Sequence, residues 1–218
     1  MYCYRSNKCP RTRKVGIEKM SQEDLTKALV NSAVSHIRDA LSILGMECSS
    51  NHPSITNTPK RFISYLQEFM QPCNVEDIIG EGFEAVSDGT SIHSMIVQEP
   101  IPFTAICEHH LLPMSGHAYV GYIPRDRIVG ISKLTRIVHA VGHEKPSLQE
   151  AITERIADVL FESLKSSGSI VVIKSTHACM SCRGVAAPGV FTTTSAIRGA
   201  FVHVQSARQE FFSLVKLS

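Results

Sequence analysis

Met95-Ile-Val-Gln-Glu-Pro-Ile-Pro-Phe-Thr-Ala-Ile106 runs directly into Cys107-Glu-His-His-Leu-Leu-Pro113, and this stretch decides the fold. Its first part carries apolar β-formers in the pattern of a strand, and a second strand is predicted over His117 to Tyr122. The two are joined around a thiol and two imidazoles within four residues: Cys107, His109 and His110. A second group, His177-Ala178-Cys179, follows the apolar run Ile170 to Ile173, again at a strand end. Thiolate sulfur and imidazole nitrogen are the donors that a borderline-soft ion such as zinc prefers. One such group is weak, because cysteine is often a small buried hydrophobe and histidine a satisfied core residue. Two of them, each closing a strand, point to a metal.

A chain of 218 residues can form one domain with a short appendage. Its 43% hydrophobic and 19% charged residues are ordinary for a soluble globular protein. A net charge of +2 provides no broad basic face, so nucleic acid is not an expected partner. No apolar run is long enough to cross a bilayer, and the opening residues lack the apolar core of a secretory signal. Seven irregularly spaced cysteines argue against a disulfide framework and for a reducing, cytoplasmic setting.

Residues 1–20 are polar and basic, with Glu18 the only acid, and read as a disordered tail ahead of one domain at 21–218. Ser21-Gln-Glu-Asp24 is a capping-box pattern. It opens a helix with Leu25, Leu29, Ala33, Ile37, Leu41 and Leu44 on one stripe, stopped by Gly45. Thr58-Pro59 starts a second helix toward Pro72, with Thr58 as its cap. Asn74 to Ser94 reads as loop. After the two strands, Ser132 is expected to cap a helix through Val141. Ser147-Leu-Gln-Glu150 reads as a second capping box, for a helix reaching Leu164 and ended by Gly168. Strands are predicted at Ile170 to His177, Val190 to Ser195 and Ala200 to Gln205, then a helix from Ala207 to Leu217. Helices followed by a strand-rich body with two interposed helices make an α+β protein.

From about Ser21 onward, the ordered blocks of the chain resemble GTP cyclohydrolase I. These blocks are Thr58-Pro-Lys-Arg61, Cys107-Glu-His-His-Leu-Leu-Pro113, Val120-Gly-Tyr-Ile-Pro124, Ser132-Lys-Leu-Thr-Arg136, Gln149-Glu150, His177-Ala-Cys-Met180, Arg183-Gly-Val185 and Thr192-Thr-Thr-Ser195 with Gly199 and Phe201. The resemblance implies the tunnelling fold (T-fold). There, N-terminal helices precede an antiparallel sheet with helices on one face, and a barrel closes only across subunits. It implies a homo-oligomer, a decamer of two pentamers, with GTP as substrate. Whether a regulatory protein binds, and whether the pathway ends in folate or tetrahydrobiopterin, is not written in these residues.

The resemblance further implies that Cys107, His110 and Cys179 hold zinc with water in the fourth position, the arrangement of catalytic zinc. That water would add to C8 of the guanine, the imidazole ring would open and formate would leave, and the sugar would reclose to 7,8-dihydroneopterin triphosphate. His109 and His177 match proton-moving histidines, a task suited to a group titrating near neutrality. Lys133 and Arg136, in the first turn of a helix expected to start at Ser132, match triphosphate ligands together with Arg183. Arg61 either reaches in from a neighbouring subunit or is a solvated surface charge. Glu150 matches the guanine reader, and Gln149 beside it orders the same pocket; a helix-starting Glu is equally common as a cap.

The chain departs from the family at Lys145-Pro-Ser147-Leu-Gln149-Glu150-Ala151, where Arg, Gln and Arg are usual at Lys145, Ser147 and Ala151. Asn51 to Asn57 departs as well. A different class of function is a binding module with structural zinc on Cys107, His110, Cys179 and Cys182. The gap between these pairs far exceeds the roughly 15–20 residues of a zinc ribbon. If the strand continues past Cys179, Cys182 falls on its opposite face. Cytidine-type deaminases need His-x-Glu and Pro-Cys-x-x-Cys, which are absent.

Overall fold

The computed structural model describes residues 21–48, 53–80, 83–84, 86–87 and 90–217, so the expected tail at 1–20 lies outside the described residues. The chain divides into two compact units, Met1–Tyr65 and Leu66–Ser218.

In the first unit α1 spans Gln22–Ile43. Ser21 caps it: its hydroxyl oxygen accepts the Asp24 N–H at 3.1 Å, which satisfies one of the orphan donors of the first turn. Gly45, at φ 89, ends it in the left-handed region that glycine enters without strain. None of the α1 residues is buried, although Leu29 and Ile43 lie on it. Two further helices follow, α2 (Pro53–Thr56) and α3 (Thr58–Glu68), the last turn of α3 belonging to the second unit.

The second unit opens with α4 (Val75–Ile79), whose Val75 and Ile79 are buried. Short pieces β1 (Phe83–Glu84), β2 (Val86–Ser87) and β3 (Thr90–Ser91) lead to the long hairpin β4 (Ile96–Ile106) and β5 (Pro113–Ile123). Then come β6 (Arg127–Ile128), α5 (Ile131–Gly142) and α6 (Gln149–Asp158), which loosens into a π turn at Val159–Ser163. The chain finishes with β7 (Gly168–His177), the turn α7 (Ala178–Ser181), β8 (Thr192–Gly199), α8 (Ala200–His203) and α9 (Gln205–Leu214). One antiparallel sheet, in the order β4-β5-β7-β8, organises the unit, while β1 pairs with β6 and β2 with β3.

Helices cover both faces of that sheet, not the one face expected. On β7, Val171 and Ile173 pack with Leu134, Ile137, Val138 and Val141 of α5 and Ile152 and Ile156 of α6. The intervening Ile170 and Val172 join Tyr119 against Phe201, Phe211 and Val215. Successive strand residues point to opposite faces, so the unbroken apolar run Ile170–Ile173 needs cover on each side. α5 sits tightly on β4 because Gly142 permits it: a Cβ there would lie 2.8 Å from the Thr104 carbonyl oxygen.

Several expected boundaries move for local reasons. Ser132 does not cap α5; the helix begins at Ile131 behind Gly130. Ser147 does not cap α6 either, since its N–H donates to the Ile106 carbonyl at 2.9 Å in a bridge pairing it with Cys107. Gly168 starts β7 rather than ending a helix. Ala200 to Gln205 is not a strand, because β7 starts opposite Gly199 and leaves no ladder to pair with. Gly199, at φ 56, turns the chain into α8 instead. Asn74 to Ser94, read as loop, holds α4 and the short β1–β3 pieces.

Candidate metal centre and active site

Cys107 is held where β4 ends. Its N–H donates to the Leu112 carbonyl at 3.0 Å, and the Leu111 N–H donates back to the Cys107 carbonyl at 2.9 Å. Leu111 takes φ 53 to close this tight loop, which carries His109 and His110. On the next strand, β7 runs antiparallel to β5 and brings its last residue, His177, opposite Met114. The chain then coils into α7 and presents Cys179. The strand stops at His177, so the condition that would put Cys182 on an opposite strand face is not met; a helical turn, not strand alternation, aims the Cys179 thiol.

The result is one cluster: the donor atoms of Cys107, His110 and Cys179 all lie within 4.8 Å of one another. Cys107 is buried, Cys179 half-buried and His110 exposed, so the trio opens to solvent on one side. Burial pushes the Cys179 thiol up, and the Cys107 thiol beside it pushes it further. A thiol that resists ionising is what a divalent cation relieves, and two sulfurs with one imidazole suit zinc. Cys182 stands outside the trio: it is exposed, and its Sγ–H donates to the Ala178 carbonyl at 2.8 Å. A closed four-ligand site of Cys107, His110, Cys179 and Cys182 has no support in this geometry.

His177 is fixed by a buried polar network. Alternation along β7 puts Ser175 and His177 on the face covered by α6, whose first residue is Gln149. Gln149 Oε1 lies 2.7 Å from the Ser175 hydroxyl and 2.7 Å from His177 Nε2. Its Nε2 donates to the Ile173 and Thr192 carbonyls at 3.0 and 3.1 Å and to Thr194 Oγ1 at 3.0 Å. Burial holds His177 below the usual imidazole range, and the nearby Glu150 carboxylate pulls the other way. The local sequence missed Ser175 and Thr194; the available signal was a serine at an inward position between Ile173 and His177.

The other sequence-derived residues divide. Glu150 is exposed at the start of α6, takes no part in a cap and is close enough to act on His177. Arg183 follows α7, and its charge acts on Cys179. His109 is exposed, its ring 6.2 Å from that of His110. Gln149, expected in the substrate pocket, is buried, with its side-chain amide committed to the protein. The α5 group stands apart. His143, at the far end of α5, meets Thr104 near the metal end of β4, with Nε2 and Oγ1 3.1 Å apart. Lys133 lies about 15 Å back along the helix axis, where its ammonium donates to the Ile79 carbonyl at 2.9 Å. Arg136 lines a separate cavity of about 490 Å³ with Cys73, Asp77, His139 and His143. Arg61 belongs to the first unit. The departures Lys145, Ser147 and Ala151 share a smaller cavity, about 260 Å³, with Glu144 and Arg155.

The sequence profile of GTP cyclohydrolase I matches residues 33–216. GTP cyclohydrolase 1 of Halalkalibacterium halodurans is 42% identical over 163 residues, covering 74% of this chain and 85% of its own. The Bacillus pumilus protein of that name is 38% identical over 194 residues, 88% of this chain and 98% of its own. The Aquifex aeolicus one is 39% identical over 176 residues, 81% and 92% respectively. With a profile match from the middle of α1 to beyond α9 and relatives aligned over most of their own length, the chain belongs to the GTP cyclohydrolase I family.

Proposed function

We propose that this protein is a zinc-dependent GTP cyclohydrolase that opens the guanine imidazole ring at C8, releases formate and forms 7,8-dihydroneopterin triphosphate, the first step of pterin synthesis. The observation that carries the reading is the trio Cys107, His110 and Cys179, its donors within 4.8 Å, with His177 anchored two residues from Cys179. Bound at these donors, zinc would supply a Lewis acid and bring the pKa of a water toward neutrality. His177 gives a proton to the nitrogen that departs from C8, and His109 serves as the second proton-moving group. Glu150, free of a capping role, accepts from the ring N1–H and the 2-amino group together.

The triphosphate falls to Ser132, Lys133 and Arg136 with Arg183, and Arg61 reaches in from a neighbouring copy. Since Lys133 lies far along α5 from the β4 end that bears Cys107, a neighbouring copy supplies the α5 cations to each metal centre. Two further features support an assembly: among the described residues β4 and β8 are the unpaired edges of the sheet, and α1 buries none of its apolar residues. Edge-to-edge pairing would close the barrel of the T-fold, and a decamer of two pentamers is the assembly we assign. The five thiols that are free among the described residues suit a cytoplasmic setting. No helix of the described residues is long and apolar enough to cross a membrane.

The test is incubation of the purified protein with GTP, scoring formate and neopterin fluorescence. The proposal expects both products in equal amounts. Release of inorganic phosphate with no formate would overturn it.

A further inference from the structure

The amide of Gln149 can be oriented from its partners alone. Its Nε2 faces two main-chain carbonyls, of Ile173 and Thr192, at 3.0 and 3.1 Å. Carbonyl oxygens only accept, so this end must be the NH₂ group. Thr194 takes its place in the same chain of donors: Thr153 donates to the Gln149 main-chain carbonyl at 2.7 Å, and its oxygen is 2.6 Å from that of Thr194. With the Thr153 proton committed, Thr194 donates to Thr153 and is left to accept from Gln149. The opposite end of the amide is then oxygen, an acceptor only. Ser175 gives its proton to that oxygen at 2.7 Å, and His177 Nε2 lies at the same distance. A contact that short between two lone pairs is repulsive, so Nε2 carries hydrogen. Among the described residues, the other ring nitrogen, Nδ1, has no protein hydrogen-bond partner.

We infer that Gln149 is a positioning residue that keeps hydrogen on His177 Nε2 and leaves Nδ1 to face the reacting substrate. The inference rests on the proposed function for the word substrate; the tautomer itself does not depend on it. Gln149 is 1% exposed with every polar atom of its side chain engaged, so it acts through His177 and not by contact with the nucleotide. Two backbone carbonyls from β7 and from the start of β8 set the amide, and the amide sets the ring. The ring is therefore held in one orientation, the condition under which positioned acid–base groups are effective.

The experiment uses the zinc-loaded protein with ¹⁵N-labelled histidine, its His177 signals assigned by their loss in His177→Gln. Nitrogen shifts distinguish the two tautomers without any turnover. The wild-type spectrum is expected to show hydrogen on Nε2; hydrogen on Nδ1 with a bare Nε2 overturns the inference whatever the variants do. In Gln149→Met the single tautomer should be lost and kcat should fall by about 10²-fold, with KM changed less than about threefold and zinc content unchanged. A rise in KM at wild-type kcat would make Gln149 a substrate contact. Loss of zinc, or an unchanged tautomer, would make its role structural. Each of these results overturns the positioning role. Should the protein release no formate while His177 still shows Nε2–H, the functional reading fails and the tautomer assignment stands.

Discussion

Replacing Cys179 with serine tests whether three donors, and not four, make the metal site. A structural zinc held by four ligands is worth about 10–16 kcal/mol, or about 2.5–4 kcal/mol per ligand if shared evenly. Serine keeps the volume but offers a hydroxyl that stays protonated near neutrality, so nearly all of one share is lost. Zinc affinity should fall about 10²–10³-fold, at 1.4 kcal/mol per decade. Activity should fall with it. Cys182→Ser is the paired control: that thiol is exposed and bonded to the Ala178 carbonyl, away from the trio. It should keep stoichiometric zinc and full turnover. The assay is metal content by atomic emission after dialysis against a graded series of chelator concentrations. If Cys182→Ser releases zinc as readily as Cys179→Ser, the three-donor reasoning is refuted and a closed site replaces it.

Lys133→Ala and Arg136→Ala should weaken GTP binding at least tenfold while leaving guanosine binding nearly unchanged, as titration calorimetry with both ligands would reveal; equal losses would remove these residues from the phosphate site. Phe211→Ala, at a fully buried position on the second sheet face, should cost about 3–5 kcal/mol in denaturant unfolding; a loss under about 1 kcal/mol would mean that α9 does not seal that face. His143 should make stability depend on pH. Burial first, then the nearby His139, holds its pKa below the usual 6.5. As pH falls below 6.5 the unfolded chain takes up this proton before the folded one, so stability declines through that window and levels off below the folded pKa. His143→Gln should flatten this part of the stability–pH curve, and an unaltered slope would assign it to another group.

What could be read from the residues was whatever depends on neighbours in sequence. The β4–β5 hairpin and the helix through Val141 were legible in that way, whereas Cys107, His110 and Cys179 came together as one set only through the family resemblance. The cover on both faces was also written there, in the four consecutive apolar residues Ile170–Ile173, although only one face was expected to carry helices. The caps misled because Ser132 and Ser147 have suitable side chains, yet Ser147 is drawn into a bridge with Cys107, a partner 40 residues away. Ala200 to Gln205 alternates like a strand, but β7 had no residues left to pair with it. The Gln149 network was beyond reach for the same reason. It joins α6, β7 and β8 through contacts 24 to 45 residues apart in sequence. The separation of Lys133 from the metal end depends on which way α5 runs along β4, which no local pattern specifies.

The central claim is that the Cys107–His110–Cys179 trio and His177 form one reaction centre, with the metal held by the trio and the proton moved by His177. Formate release from GTP by zinc-loaded His177→Ala, with zinc content and GTP affinity measured on the same sample, tests it most directly. The account predicts full zinc, near-wild-type GTP affinity and formate release slower by roughly 10²–10⁴-fold, the usual worth of a positioned acid–base group. Wild-type formate release, or loss of zinc from this variant, would contradict it.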